Sequence, residues 1–153
     1  MKKITLYLTV LVFLIVNNSN YSQQNGFGLG IILGEPTGLS AKFWTSTETA
    51  IDFGLGYSFT TSNSIIDFYG DYVFHNSNML KAEEKFTVYY GPGASLRINE
   101  NNSRLGIRGV IGILWLPTGT PFDLFVEIAP IFDIIPETKF DFAGGVGGRY
   151  YFN

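Results

Sequence analysis

The residues best suited to chemistry lie together in His75-Asn76-Ser77-Asn78, with Glu83 and Glu84 a few positions on. A histidine near a serine is the pairing that covalent hydrolysis needs, the imidazole taking the hydroxyl proton as the oxygen attacks. Asp67 and Asp71 form a second constellation, since paired carboxylates are common oxygen ligands of a hard cation. Gly26-x-Gly28-x-Gly30 and Gly144-Gly145-x-Gly147-Gly148 form a third, with the glycine density of a phosphate loop. Each of these needs a scaffold to aim it. A phosphate loop must open a helix, and no helical period of useful length follows either glycine cluster, so close backbone packing is the better reading of both. For Asp67 and Asp71, arginines across the fold are simpler partners than a metal, and neither a metal nor a cofactor is expected.

The elements that would position such groups follow from composition and period. The chain has 153 residues, enough for one domain. Aromatics at 16% exceed charged residues at 15%, and there are 18 glycines, a mixture that suits many short strands with glycine turns. With no cysteine there is no disulfide framework and no thiolate metal site. A net charge of −3 leaves no basic patch, which excludes nucleic acid as a partner. Lys2 and Lys3 precede an apolar run from Ile4 to Val16, and polar residues to Ser22 follow. That is the order of a secretory signal, too short for a bilayer span of about 20 residues. Residues 1–22 are therefore expected to be a signal peptide, and residues 23–153 the exported domain.

From there the pattern predicts eight strands, each ended by turn residues. They cover Asn25 to Leu33, Gly38 to Thr45, Ala50 to Phe59, Ile65 to His75, Phe86 to Ile98, Arg104 to Trp115, Phe122 to Asp133 and Phe140 to Phe152. The last shows the rule most clearly. Phe140, Phe142, Val146, Tyr150 and Phe152 share one parity, and Asp141, Ala143, Gly145, Gly147 and Arg149 share the other. Such period-2 alternation marks a strand with different surroundings on its two faces. Pro92 and Pro130 lie inside the fifth and seventh strands, where a missing N–H predicts a bulge or a strand end.

Size decides which face points inward. The lumen of an eight-strand barrel is only just wide enough to be filled by side chains. It cannot hold so many Phe, Tyr, Trp, Ile and Leu residues, whereas the opposite parity is rich in glycine, alanine and serine. The large apolar residues must therefore face outward, and such a surface in water would far exceed the few hundred Å² that a soluble monomer tolerates. No charged residue falls on the apolar parity. On the other parity lie Lys42, Arg97, Arg108 and Arg149 against Asp52, Asp67, Asp71 and Glu127, four of each sign, which are expected to pair in a narrow interior and plug it. The expectation is an all-β, eight-stranded antiparallel up-and-down transmembrane β-barrel with a filled lumen.

The residues now described carry a resemblance. The chain resembles small eight-stranded outer-membrane barrels of the outer-membrane protein A and X type, and its Gly147-Gly148-Arg149-Tyr150-Tyr151-Phe152 is similar to their C-terminal assembly signal, with Asn153 trailing it. The segments Gly34-Glu35-Pro36-Thr37-Gly38-Leu39-Ser40-Ala41-Lys42-Phe43-Trp44, Asp71-Tyr72-Val73-Phe74-His75 and Tyr89-Tyr90-Gly91-Pro92-Gly93 look like an uncharacterised barrel family of spirochaetes and other bacteria. This resemblance implies the bacterial outer membrane as location. Membrane lipid and, through the last strand, the barrel-assembly machinery would then be partners, with any extracellular protein partner unknown. His75-Asn76-Ser77-Asn78 also resembles the His-x-Ser-Asn of outer-membrane lipid A deacylases, which gives a lipid-modifying esterase using His75 and Ser77 as the alternative. Parity opposes it, because His75 shares the interior face with Asp71 and Val73. The expected function is a non-enzymatic integral barrel with a salt-bridged, non-conducting lumen. It would serve envelope structure or weak surface interaction, and a narrow transporter or carrier is a third reading.

Overall fold

The computed structural model describes residues 26–58, 65–77, 86–100 and 102–152. The expected signal segment 1–22, with Asn78, Glu83 and Glu84, lies outside them. Eight strands form: β1 Phe27–Glu35, β2 Thr37–Trp44, β3 Thr49–Ser58, β4 Ile65–Asn76, β5 Phe86–Ile98, β6 Ser103–Trp115, β7 Phe122–Ile135 and β8 Lys139–Phe152. Each pairs antiparallel with the next, and β8 returns to β1, closing a barrel in which chain order is also spatial order. β5 has the expected bounds, and the other strand ends among the described residues lie within two residues of the sequence expectation. The expected ends Asn25 and Phe59 lie outside the described residues.

The register sets the size of the barrel. Directly opposed residues run from Leu29 through Ala41, Phe53, Gly70, Ala94, Ile107 and Phe132 to Phe140. Leu29 itself faces Tyr150 on β8, so one circuit arrives ten residues from its start. That stagger requires strands tilted by about 40° and gives an interior that side chains can fill.

Side-chain direction follows parity throughout. Phe53, Ile107 and Val126 face outward at 48%, 56% and 50% exposure, while Asp52, Arg108 and Glu127 are inside at 3%, 2% and 6%. Tyr69, Tyr89 and Tyr151 are also inside, on the face that carries the glycines. Glycine makes room for them: a methyl group on Gly54 would collide with the Tyr69 ring, and one on Gly112 with the Tyr89 ring.

Neither Pro92 nor Pro130 ends its strand or produces a bulge, contrary to expectation. Both strands continue, and both prolines keep a partner on one side, Gly109 for Pro92 and Phe142 for Pro130. The cost appears on the other side. The β4–β5 ladder passes from Asp71–Gly93 to Phe74–Tyr90, and the β6–β7 ladder from Arg108–Ile131 to Ile111–Ile128, two steps being lost where the N–H is missing. The register shift falls instead between Leu105 and Gly106. There Asp133 lies opposite Gly106, and a side chain on Gly106 would meet its Oδ1.

Candidate functional site

The interior is filled by ion pairs and tyrosines at three levels. Nearest the termini, Lys42 and Asp52 are register neighbours on β2 and β3, and Nζ lies 3.0 Å from Oδ1. Lys42 Nζ also lies 2.9 Å from His75 Nε2 and 4.7 Å above the Tyr89 ring. Arg149 links this pair to a second carboxylate: Nη1 is 3.3 Å from Asp52 Oδ2, and Nε is 3.2 Å from Asp123 Oδ1. Tyr151 donates its hydroxyl to Asp123 Oδ2. The Arg149 guanidinium covers the Phe125 ring at 4.0 Å. Two cations meet two carboxylates at this level, and each carboxylate oxygen has a cation or a hydroxyl within 3.3 Å, while Arg149 Nη2 and His75 Nδ1 have no hydrogen-bond partner.

At mid-height one cation serves two carboxylates. Arg108 Nε is 3.0 Å from Asp71 Oδ1, and Nη2 is 3.5 Å from Glu127 Oε1. Arg108 on β6 reaches β4 across β5 because the intervening position is Gly93, where any Cβ would collide with the Asp71 carboxylate. Tyr89 donates to Glu127 Oε2 at 2.6 Å, and Arg108 stacks on Tyr69 at 4.0 Å.

The level farthest from the termini is built differently. Arg97 Nε lies 3.2 Å from Asp67 Oδ2, its register neighbour, and Nη1 donates to Asp141 Oδ2 at 2.6 Å. Asp133 is fully buried, yet its nearest cations are Arg97 Nη1 at 4.0 Å and Arg104 Nη1 at 3.8 Å, and neither of its oxygens has a hydrogen-bond partner.

All eight residues singled out from the sequence are thus buried and lie in ion pairs: Lys42 with Asp52, Arg97 with Asp67, Arg108 with Asp71 and Glu127, and Arg149 with Asp52. The expected equality of charge fails. Asp123 and Asp133 are buried too, so six carboxylates face four cations in the buried set. Both follow the interior parity of β7, a signal that could have found them. Arg104 and Asp141 belong to the same network at the rim, with side chains 22% and 39% exposed.

His75 and Ser77 are not brought together. The imidazole is inside, tilted against Trp44 at 4.3 Å and stacked on Tyr89 at 5.6 Å. Its Nε2 faces the Lys42 ammonium, which has no lone pair, so Nε2 accepts and Nδ1 carries the proton. Ser77 lies in the exposed turn after β4 and shares a hydrogen bond with Thr87 Oγ1 at 3.2 Å. A base whose lone pair is already taken by an ammonium cannot receive a serine proton in this arrangement.

What fold and interior define together is a closed eight-stranded antiparallel up-and-down β-barrel, ionic within and apolar without. Comparison with family models, with curated sequences and with solved structures finds no match to this chain.

Proposed function

We propose that the protein is an integral outer-membrane β-barrel whose salt-bridged interior conducts nothing, and that it acts as a non-enzymatic structural or weakly interacting component of the envelope. One observation carries this reading. Large apolar side chains face outward on every strand, including Leu29, Phe53, Phe68, Ile111, Val126 and Phe142, each more than 40% exposed. That surface far exceeds what water-soluble monomers leave open, whereas a lipid-facing barrel needs an apolar band about 25 Å tall with polar groups inside. The resemblance of the closing Gly147-to-Phe152 segment to the assembly signal of the outer-membrane protein A and X type supports bacterial export and delivery to the barrel-assembly machinery. A secretory reading of residues 1–22 supports it as well.

The plug reading follows from the chemistry of the interior. To pass a solute, the barrel would have to separate charges that hold each other in a dry space, and each broken pair leaves an uncompensated buried ion. The test is fractionation with outer membranes, together with heat-modifiable gel mobility and no single-channel steps in planar bilayers. Recovery in the soluble periplasmic fraction would sink the membrane assignment, and steady conductance would sink the plug. Lipid A acyl profiles should be identical with wild type and Ser77→Ala, whereas loss of an acyl chain dependent on Ser77 would restore the esterase.

A further inference from the structure

We propose that the wall formed by β1 and β2 is a thin sector at which the surrounding lipid is drawn inward, so that the bilayer around the barrel is markedly thinner there than beside β7 and β8. This rests on the membrane reading above and adds to it a specific lipid-contact site.

The argument is one of height. Outward apolar side chains run from Phe27 to Leu33 on β1 and only from Leu39 to Phe43 on β2. At about 3.3 Å per residue and a tilt of about 40°, these runs are about 15 Å and about 10 Å tall. On β7 the run extends from Phe122 to Ile134, and on β8 from Phe140 to Phe152, about 30 Å each by the same conversion. Only the second pair matches an apolar band of about 25 Å.

Register locates the missing part. Phe27 is opposed by Phe43 on one side and Phe152 on the other, and with the strands tilted by about 40° opposed residues differ in height by only about 3 Å from one strand to the next, so the rim near the termini changes little across β8, β1 and β2. The shortfall therefore lies mainly at the opposite end. There Glu35, the last residue of β1, pairs with Gly144, while β8 continues through residues 139–143 with partners on β7 alone. Polar groups mark the lowered rim, with Glu35 and Thr37 half-buried on the hairpin and Asp141 partly exposed on the β8 segment that stands above it. At that height on the far side of the barrel, Ile107 and Phe132 still face outward among other apolar residues.

Lipid is the occupant that fits. The apolar surface of the low wall is continuous through Phe152, Phe27 and Phe43 with the belt on β8, and its outward side chains on β1 and β2 carry no charge below Glu35. An acyl layer of ordinary thickness would submerge Glu35, Thr37 and Asp141, and a short hydrophobic wall is accommodated by local thinning.

The absence of cysteine permits single labelling sites. Leu33 lies six residues above Phe27, and Ile128 six above Phe122. Leu29 and Phe122 both oppose Tyr150, and with the step of about 3 Å per strand that the tilt gives, the two sites stand within a few Å of the same height. Both face outward, at 55% and 58% exposure. Spin labels on Leu33→Cys and Ile128→Cys in the full chain, reconstituted in dioleoylphosphatidylcholine, would be relaxed by oxygen or by a neutral nickel chelate. The expected result is a deep, oxygen-favouring environment at 128 and a shallow one at 33, with nickel access severalfold higher, and a smaller difference in twelve-carbon lipid. Equal depth at both sites overturns the proposal, because the bilayer is then flat. Shielding of label 33 from both agents also overturns it, because a protein then covers the wall. Full aqueous access at 128 sinks the membrane reading itself.

Discussion

The two ends of the barrel interior are built from the same residue types and behave differently. Asp123 and Asp133 both lie on β7, and both are completely buried. Asp123 receives Arg149 Nε on one oxygen and the Tyr151 hydroxyl on the other. Asp133 has two arginines at 3.8 and 4.0 Å and no hydrogen bond to either oxygen. The difference traces to register. Asp123 faces the buried Arg149 directly across the β7–β8 ladder, whereas Asp133 faces Lys139, an exposed residue at the first position of β8 that makes no ion pair with it, and on its other side sits at the β6–β7 register shift opposite Gly106. A buried ion pair stabilises only when its geometry is good and its remaining lone pairs are satisfied. Both ends leave buried polar atoms without a hydrogen bond, Arg149 Nη2 and His75 Nδ1 near the termini among them, but Asp133 is a carboxylate that lacks one on both oxygens and has no cation closer than 3.8 Å, so the far end is the weaker place.

The comparison breaks most visibly at Arg149. Arg149→Met leaves Asp52 without one partner and Asp123 with only Tyr151, and removing one member of a buried pair costs about 3–5 kcal/mol. Urea unfolding in detergent micelles should show that loss. A cost below about 1 kcal/mol, the range of an exposed pair, would mean the terminal-end network is solvated. A sharper version exchanges the two matched aspartates. Asp123→Asn should destabilise by about 3 kcal/mol, since it removes the charge that Arg149 and Tyr151 bind. Asp133→Asn removes a charge with no hydrogen bond and should change stability by under about 1 kcal/mol, with a gain as the expected sign. Equal losses at both positions would erase the distinction between the two ends.

Much of this was legible in the chain, because parity is a local property. The alternation in Phe140–Phe152 and in Leu105–Trp115 placed outward and inward faces correctly, and the same rule placed Lys42, Arg108 and Arg149 inside. Register is not local, and it accounts for what was missed. The parity of β7 carried Asp123 and Asp133, yet nothing in the sequence distinguishes the aspartate that meets an arginine across a ladder from the one that meets a register shift. The prolines failed for a related reason. A missing N–H matters only on the side where that N–H would have bonded, and Pro92 and Pro130 lose ladder steps toward β4 and β6 while keeping their partners on β6 and β8. The low wall at β1 and β2 was likewise hidden, since it appears only when strand lengths are laid against a stagger of ten residues per circuit.

The smallest expected effect tests whether the far end opens to solvent. Asp141 binds Arg97 at 2.6 Å, the shortest ion pair of the described residues, and Phe142 N–H donates to its other oxygen at 2.8 Å. By distance alone it should matter as much as Asp123. Its side chain is 39% exposed, however, and an ion pair that water reaches is worth about 0.2–1 kcal/mol and is screened by salt. Asp141→Asn should therefore cost less than about 1 kcal/mol at low ionic strength, and most of that cost should vanish at about 0.5 M salt, where the screening length falls well below that at 0.1 M. The Asp123→Asn loss should persist under the same conditions, because its partners are buried. A large, salt-insensitive loss at Asp141 would place that carboxylate in a dry interior, and the far end would then be sealed like the end near the termini.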